Sequence, residues 1–383
     1  MKFSSIIGQN EVKEKLLTSY RENRVAQTQL FLGPEGSGSL ALAIAFSQFI
    51  NCKNKSETDS CGTCPSCVKF QKYAHPDLHF YFPTTTTESV KTEARSELLL
   101  KEWRDYLEKS NAYATQNGWY SHINVGNKQG IINVRDAANI IEKMALKNFE
   151  ADFKTIIIWM AEKMNSETSN KLLKTLEEPP EKTLIFLVAE RFELIIPTVR
   201  SRAQLMKIPK LTEKDIQEKL TLQFQIPAEK AADIALLANG NYNQAVEIYQ
   251  NADETQFNFI NFRQWLRLCF KRDNILELNK FNSEIARLGR EKQKSFFNYG
   301  LETVHFTILH NMGLGDRVYK NGEELDFSSK LAPFFNSENL PEIYDLLNEA
   351  IYHIERNAHA GIMLSDMSFK LSGLLAKARK QVS

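Results

Sequence analysis

The first half of the chain alternates between strand-like and helical patterns of apolar residues. Short apolar runs, often rich in β-branched residues, predict buried strands at 29–32, 153–159 and 183–189, and further strands are predicted within 75–83 and near 204–208. Most of the segments between these runs have the three-to-four-residue apolar spacing of amphipathic helices. The alternation predicts a layered α/β domain built on a parallel sheet.

The pattern becomes helical from Pro209 onward. It predicts three short helices, at 212–222, 227–237 and 242–249, and a further helical region beyond about residue 253. Within that region the polar, Gly-containing stretch 314–326 is predicted to be a loop. We therefore predict three domains: an α/β domain at 1–208, a small helical domain at 209–252 and a helical C-terminal domain at 253–383.

Residues 84–129 interrupt the β-α alternation. They begin with four Thr and continue through a charged helical stretch that contains Trp103 and Tyr106, with Trp119 further on. We interpret the segment as an insertion on the surface. Its aromatic side chains could bind a partner, although packing against the body of the protein is the more common role of such residues.

A glycine-rich stretch, Gly33 to Leu40, follows the first strand and precedes a helix. This is the context of a phosphate-binding loop of pattern G-x-x-x-x-G-K-[ST], in which Lys reaches the phosphates and the hydroxyl holds Mg²⁺. Ser39 and Leu40 occupy these two places. Backbone N–H groups at Gly33, Gly36 and Gly38 could still face an anion, but we expect no turnover of ATP with Mg²⁺ and no bound cofactor at this loop.

The strand at 153–159 supports the same interpretation. In P-loop enzymes that hydrolyse nucleotide, carboxylates near such a strand hold Mg²⁺ and orient water. Here the strand is followed by Met160 and Ala161 after Trp159, and Glu162 is the first acid. The sequence thus lacks the expected residues in both halves of a nucleotide site.

Four of the five cysteines lie close together, at Cys52, Cys61, Cys64 and Cys67. Thiolates with C-x-x-C spacing form tetrahedral S₄ sites that bind Zn²⁺, and a site with no open position is structural. We predict a structural zinc site, with scattered free thiols as the alternative. Cys269 lies apart from the cluster and is predicted to be a small core residue.

Composition and charge set the broad class. The chain has 383 residues, 43% hydrophobic and 25% charged, which is typical of folded proteins. Its net charge of +1 gives no global basic field for nucleic acid. The N-terminal residues lack the apolar core of a signal peptide, and no apolar run is long enough to span a membrane, so we expect a cytoplasmic location and reduced thiols.

The order of these features resembles the bacterial clamp-loader subunits of DNA polymerase III. The resemblance rests on the P-loop, the four-Cys insertion, the stretch NKLLKTLEEPP at 170–180 and Ser201-Arg202. It implies an AAA+ α/β P-loop domain with a zinc-binding insertion, a small three-helix lid and an all-α C-terminal collar. It also implies gamma/tau ATPase and delta subunits as partners, and contact with the sliding clamp and primer-template DNA through the assembled complex.

Within that family the sequence is most similar to the subunit that acts as a non-hydrolysing stator. Ser39, the pair Trp159 and Met160, and Asn243 stand where active members carry nucleotide contacts. The resemblance further implies that Arg202 enters the ATP site of a neighbouring subunit as an arginine finger. Ala203 departs from the family's usual Cys, a residue that does not reach the phosphate.

Two other interpretations remain open at this point. The chain could be an active, gamma/tau-like ATPase with an atypical site in which Glu162 is the acid and a Lys comes from elsewhere in the sequence. The Cys cluster and the 84–129 insertion could instead form a DNA-binding module, which the nearly neutral charge disfavours.

Overall fold

The computed structural model describes residues 1–126, 128–271, 274–313, 322–336 and 339–382, with side-chain surroundings up to residue 376. The chain divides into two compact units, Met1–Tyr249 and Gln250–Ser383. The helices at 213–249, predicted as a separate small domain, lie within the first of these units. The domain limits at 208 and 252 stay predictions.

A parallel sheet forms the centre of the first unit. Its strands in the described part of the chain are β1 (Thr28–Leu32), β2 (Leu78–Tyr81), β3 (Lys154–Trp159), β4 (Thr183–Ala189) and β5 (Gln204–Lys207). They lie in the order β2-β3-β4-β1-β5, and every pairing is parallel. All residues of β3 and β4 are buried, as expected for strands covered on both faces. The predicted parallel α/β layer is confirmed.

Helices surround this sheet. Those that belong wholly to the first unit are α1 (Asn10–Arg21), α2 (Ser39–Ile50), α3 (Pro65–Gln71), α4 (Leu100–Lys109), α5 (Gln116–His122), α6 (Val134–Ala145), α7 (Ser166–Glu177), α8 (Pro197–Arg200), α9 (Glu213–Phe224) and α10 (Ala228–Leu237). Every residue of α2 is buried, so this helix is central to the unit. Helix α7 begins at Ser166 because the Asn165 side chain caps it, accepting a hydrogen bond from the N–H of Thr168.

The aromatic residues of the 84–129 insertion pack against the body of the protein, which confirms the more common of the two roles considered for them. Trp103 and Trp119 are fully buried. The Trp103 ring stacks on Phe82 with 4.4 Å between centroids and lies 4.9 Å from the ring of Trp159. These residues come from distant parts of the sequence, so the helical pattern of the insertion alone does not identify their partners.

The second unit is helical throughout its described residues. Its helices are the C-terminal part of α11 (Tyr242–Phe270), then α12 (Ile275–Ala286), α13 (Arg290–Asn311), α14 (Gly322–Leu331), α15 (Leu340–Glu355) and α16 (Ala360–Val382). The helix predicted at 242–249 is too short. Helix α11 is 29 residues long in all, because its sequence contains no Gly or Pro that would end it earlier. The N-terminal part of the predicted 314–326 loop, 314–321, lies outside the described residues, and 322–326 belong to α14.

The core of this second unit is aromatic and aliphatic, with Trp265, Phe296 and Phe297 fully buried. Cys269 is buried in the same cluster, which confirms its predicted role as a core residue. Among the described helices of the chain, none combines the length and the apolar character that crossing a bilayer requires.

Candidate functional site

The glycine-rich loop connects β1 to α2. Gly36 and Gly38 have φ of 76° and 88°, in the left-handed region that favours glycine. The N–H of Gly33 donates to the carbonyl of Ala189 at the end of β4. The hydroxyls of Ser37 and Ser39 lie 3.0 Å apart and hydrogen-bond to each other. The loop therefore has the backbone turns of a P-loop, with two neutral hydroxyls bonded together inside it.

A very small cavity lies against this loop. Its volume is about 20 Å³, which is room for about one water molecule, whereas sites for small molecules measure about 300–1,000 Å³. The residues that line it include all five of the predicted loop positions, and they are Gly33, Pro34, Glu35, Gly36, Gly38, Ser39, Leu40, Ala112, Tyr113, Ala114, Trp159, Met160, Val188, Ala189 and Glu190.

Tyr113, from the 84–129 insertion, occupies the space in front of the loop. A Cβ placed on Gly38 would lie 3.1 Å from the Tyr113 hydroxyl oxygen. That oxygen accepts a hydrogen bond of 3.0 Å from the N–H of Ile7. The Tyr113 ring also meets that of Tyr242 edge to face, with centroids 5.1 Å apart. One buried side chain thus contacts the N-terminal segment, the P-loop and the start of α11.

The positions expected for catalytic carboxylates are apolar and buried. Trp159 ends β3 and packs on Trp103, and Met160 follows with a left-handed backbone. Glu162 lies on a short 3-10 turn, where its Oε1 accepts a hydrogen bond of 3.0 Å from the N–H of Glu190. Glu162 does not line the cavity at the P-loop. The structure therefore places this acid against backbone rather than against the loop.

Two other acids do line the cavity. Glu35 is in the loop and Glu190 directly follows β4. Burial, together with the carboxylates of Glu162 and Glu35, raises the pKa of Glu190 to about 7. These carboxylates repel one another, and they would also repel the negative triphosphate of a nucleotide at this place.

Replacing Glu190 by Gln tests this arrangement. Burial penalises the charged form of Glu190, so its pKa is higher in the folded chain than in the unfolded chain. The stabilisation that comes from the neutral carboxyl is therefore fully present below about pH 4 and is lost as the pH rises through about 7. We expect Glu190→Gln to be more stable than the parent at pH 8 by about 2 kcal/mol and little different at pH 5. Urea denaturation at the two pH values measures this. Glu193→Gln, at an exposed acid on the next turn, is the control, and an equal gain in both variants would contradict the assignment.

The segment before α11 packs directly on the P-loop. The Asn241 side chain donates a hydrogen bond of 3.1 Å to Glu35, and the N–H of Tyr242 donates to the carbonyl of Gly36. A methyl group on Gly36 would overlap the Asn241 side chain. Asn243, the position predicted to have lost a nucleotide contact, is within this turn, and its N–H donates to Asn241 Oδ1. Neutral amides therefore face the loop from this side.

Arg202 lies away from the P-loop, just after α8. Its Nε donates a hydrogen bond of 2.8 Å to Glu177 Oε2, and its Nη1 donates one of 3.0 Å to the carbonyl of Thr198. Its side chain is 29% exposed. The guanidinium is thus held at two points and is still accessible from solvent.

The four predicted zinc ligands come together in the structure. The sulfur atoms of Cys52, Cys61, Cys64 and Cys67 all lie within 4.8 Å of one another. The measured Sγ–Sγ distances are 3.5 Å for Cys52–Cys61 and 3.9 Å for Cys61–Cys67. Tetrahedral Zn²⁺ with Zn–S bonds of about 2.3 Å requires about 3.8 Å between sulfurs. The cluster could therefore bind a metal ion such as zinc.

Backbone N–H groups surround these sulfur atoms. Cys61 Sγ accepts hydrogen bonds from the N–H groups of Cys64 and Thr63, at 3.3 and 3.4 Å. These bonds lower the pKa of the Cys61 thiol to about 5. Cys64 caps α3, with its sulfur accepting from the N–H of Cys67. Because the thiolate is the form that binds metal, the donors around Cys61 favour metal binding.

Comparison with known proteins identifies the family. A profile described as DNA polymerase III, delta subunit, matches residues 8–212, which is more than half of the 383 residues. The chain belongs to this family. The predicted resemblance to clamp-loader subunits of DNA polymerase III is confirmed, and its relatives include delta-prime subunits.

Curated relatives of this DNA polymerase III family member include both delta-prime and tau subunits. The chain is 25% identical to DNA polymerase III subunit delta-prime of Bacillus subtilis over 63% of its length and 60% of the relative's. It is 26% identical to subunit delta-prime of Escherichia coli, over 62% and 58%. It is 22% identical to subunit tau of Bacillus subtilis, over 66% and 38%. The chain thus spans about 60% of the length of the delta-prime relatives it matches.

Two residues at the candidate sites of this family member are not predicted from the sequence. Tyr113 lies in an Asn-Ala-Tyr-Ala-Thr stretch of an insertion with no motif, and only the fold brings it to the P-loop. Glu177 is part of the NKLLKTLEEPP stretch that carried the resemblance, but its partner Arg202 is 25 residues away. A family motif identifies such a residue without showing what it contacts.

Proposed function

We propose that this protein is the non-hydrolysing stator, or delta-prime, subunit of a bacterial DNA polymerase III clamp loader. The observation that carries the proposal is the P-loop cavity of about 20 Å³, with Tyr113 in front of the loop. Ser39 and Leu40 at the Lys and hydroxyl positions agree with it. The chain then contributes structure, and its partners contribute ATP hydrolysis.

The proposed partners are the gamma/tau ATPase and delta subunits, in the cytoplasm. The first unit presents Arg202 to the ATP site of a neighbouring ATPase subunit, while the helical second unit joins the collar of the assembly. The complex as a whole, with the chain as one component, loads the sliding clamp onto primer-template DNA. The similarity to delta-prime subunits supports these assignments.

The proposed cofactor is one structural Zn²⁺. Cys52, Cys61, Cys64 and Cys67 would hold it, and the sulfur spacing supports this assignment. When bound, the ion crosslinks the turns around α3 and supplies no catalytic chemistry, since all four positions are thiolates.

Nucleotide binding by the isolated chain tests the stator proposal. We expect no binding of a fluorescent ATP analogue at millimolar concentration and no ATP turnover, because the loop lacks the Lys charge and Tyr113 takes the space. A gamma/tau subunit measured in parallel is the positive control. Steady ATP hydrolysis by the purified chain, abolished by a substitution in its own loop, would contradict the proposal.

The second candidate is an active, gamma/tau-like ATPase with an atypical site. The similarity to subunit tau of Bacillus subtilis favours it, and Glu162 would be its acid. Glu162 does not line the P-loop cavity, and one of its carboxylate oxygens accepts a hydrogen bond from the N–H of Glu190, which weighs against that role. The same ATPase measurement separates the two candidates.

A further inference from the structure

We propose that Glu177 is a positioning residue for Arg202, holding its guanidinium in the orientation that meets the phosphate of the neighbouring subunit's ATP. This inference rests on the proposed function, in which Arg202 is an arginine finger. It concerns how the finger is held before it contacts ATP. The ion pair between Glu177 and Arg202 is the observation behind it.

The contacts use two of the three guanidinium nitrogens. Glu177 Oε2 accepts from Nε at 2.8 Å, and the Thr198 carbonyl accepts from Nη1 at 3.0 Å. Among the described residues, no hydrogen bond is made by the Nη2 amino group of Arg202. An arginine has five N–H donors in a rigid planar arrangement, so fixing two of its nitrogens also fixes the direction of the third. The remaining donors are suited to a phosphate oxygen.

The two anchors themselves are firmly placed. Glu177 is the last residue of α7, directly after Leu176, which is 2% exposed. The carbonyl of Leu176 accepts a hydrogen bond of 2.9 Å from the buried hydroxyl of Thr28 on β1. Thr198 is in α8, next to the fully buried Val199. Leu176 and Val199 belong to the same apolar cluster, so the core sets the distance between the two groups that hold Arg202.

The exposure of the pair indicates a role in orientation rather than in stability. The side chain of Glu177 is 57% exposed and that of Arg202 is 29% exposed. Exposed ion pairs of this kind add little to folding stability. Preorganising a charged donor for a transition state does affect rate, because the group then needs no reorganisation during the reaction.

The experiment measures DNA-stimulated ATP hydrolysis by the complete loader, assembled so that the neighbouring ATPase subunit is the only one with an intact P-loop. We expect Glu177→Ala to lower kcat by about fivefold, the upper range for one exposed ion pair, with KM for ATP unchanged. Glu177→Gln keeps an acceptor for Nε and is expected to stay within about twofold of the parent. Glu178→Ala, at the adjacent acid, is the matched control and is expected to have no effect.

The arms of the experiment separate the inference from the function on which it rests. If Arg202→Ala lowers kcat and Glu177→Ala does not, the positioning role is wrong and the finger stands. If Arg202→Ala has no effect in an intact complex, the finger itself is wrong. A faster Glu177→Ala enzyme would mean that the pair restrains Arg202, which overturns the proposal. The double variant is expected to match Arg202→Ala alone, and a further loss would place the action of Glu177 elsewhere.

Discussion

Replacing Arg202 by Ala is expected to slow ATP hydrolysis at the neighbouring subunit's site by about 10³-fold or more. An arginine finger neutralises the charge that develops on the transferred phosphoryl group, and its removal costs about 10³–10⁵ in kcat in related phosphoryl-transfer enzymes. The measurement is single-turnover hydrolysis, stimulated by primed DNA, in a loader where only that neighbouring site has an intact P-loop.

The helix that precedes Arg202 provides a matched control. Arg200 ends α8 two residues earlier, and its guanidinium lies over the Phe192 ring at 4.7 Å from the centroid. We expect Arg200→Ala to leave hydrolysis unchanged, because its guanidinium packs on Phe192 and the proposed function gives it no contact with the neighbouring subunit's ATP. Arg202→Lys keeps the charge without the planar donor arrangement, so an intermediate rate is expected. Full activity of Arg202→Ala in a complex of normal subunit composition would exclude the finger role.

Replacing Cys64 by Ser is expected to abolish the proposed zinc binding and to lower the free energy of unfolding by more than about 4 kcal/mol. A metal that binds only the folded chain stabilises it in proportion to the logarithm of its concentration over its dissociation constant. Structural zinc sites bind with apparent free energies of about 10–16 kcal/mol at pH 7. Ser can still cap α3 as Cys64 does, so the loss reports on the metal. Elemental analysis and urea denaturation, each with and without a chelator, measure the two effects.

Cys269→Ser is the control for this substitution. Cys269 is a buried thiol outside the cluster. That variant is expected to keep one zinc ion per chain and to remain sensitive to the chelator, whereas Cys64→Ser is expected to be insensitive. Purified parent protein without stoichiometric metal, or a Cys64→Ser variant as stable as the parent, would refute the zinc site.

The sequence predicts the sheet and the ligand cluster well because both are local signals. The inner strands β3 and β4 appear as runs of apolar and β-branched residues, and β4 matches its prediction at both ends, Thr183 and Ala189. The cysteines have ligand spacing whatever surrounds them, and the structure brings their sulfurs together. Ser39 and Leu40 are likewise read directly from a motif, and both line the cavity.

What the sequence does not predict depends on tertiary contact. The amphipathic pattern of α4 predicts that Trp103 lies on the buried face of the helix. It does not predict the ring partners, because Phe82 and Trp159 lie 21 and 56 positions away in the sequence. Tyr113 reaches the P-loop only through the fold of an insertion that has no motif. The predicted helix end at residue 249 is wrong because no Gly or Pro follows Tyr249 to end α11 before Phe270.

The position of Tyr113 has a consequence for how such a loader changes shape. A ligand shifts a conformational equilibrium only by its difference in affinity for the two states. In a subunit that binds ATP, nucleotide binds to and leaves the P-loop, and the conformational equilibrium shifts with each step. Here the side chain against Gly38, Ile7 and Tyr242 is covalently part of the chain. Its effective concentration is the same at every step, so in the proposed loader this subunit is expected to keep one conformation at the P-loop while its neighbours respond to ATP.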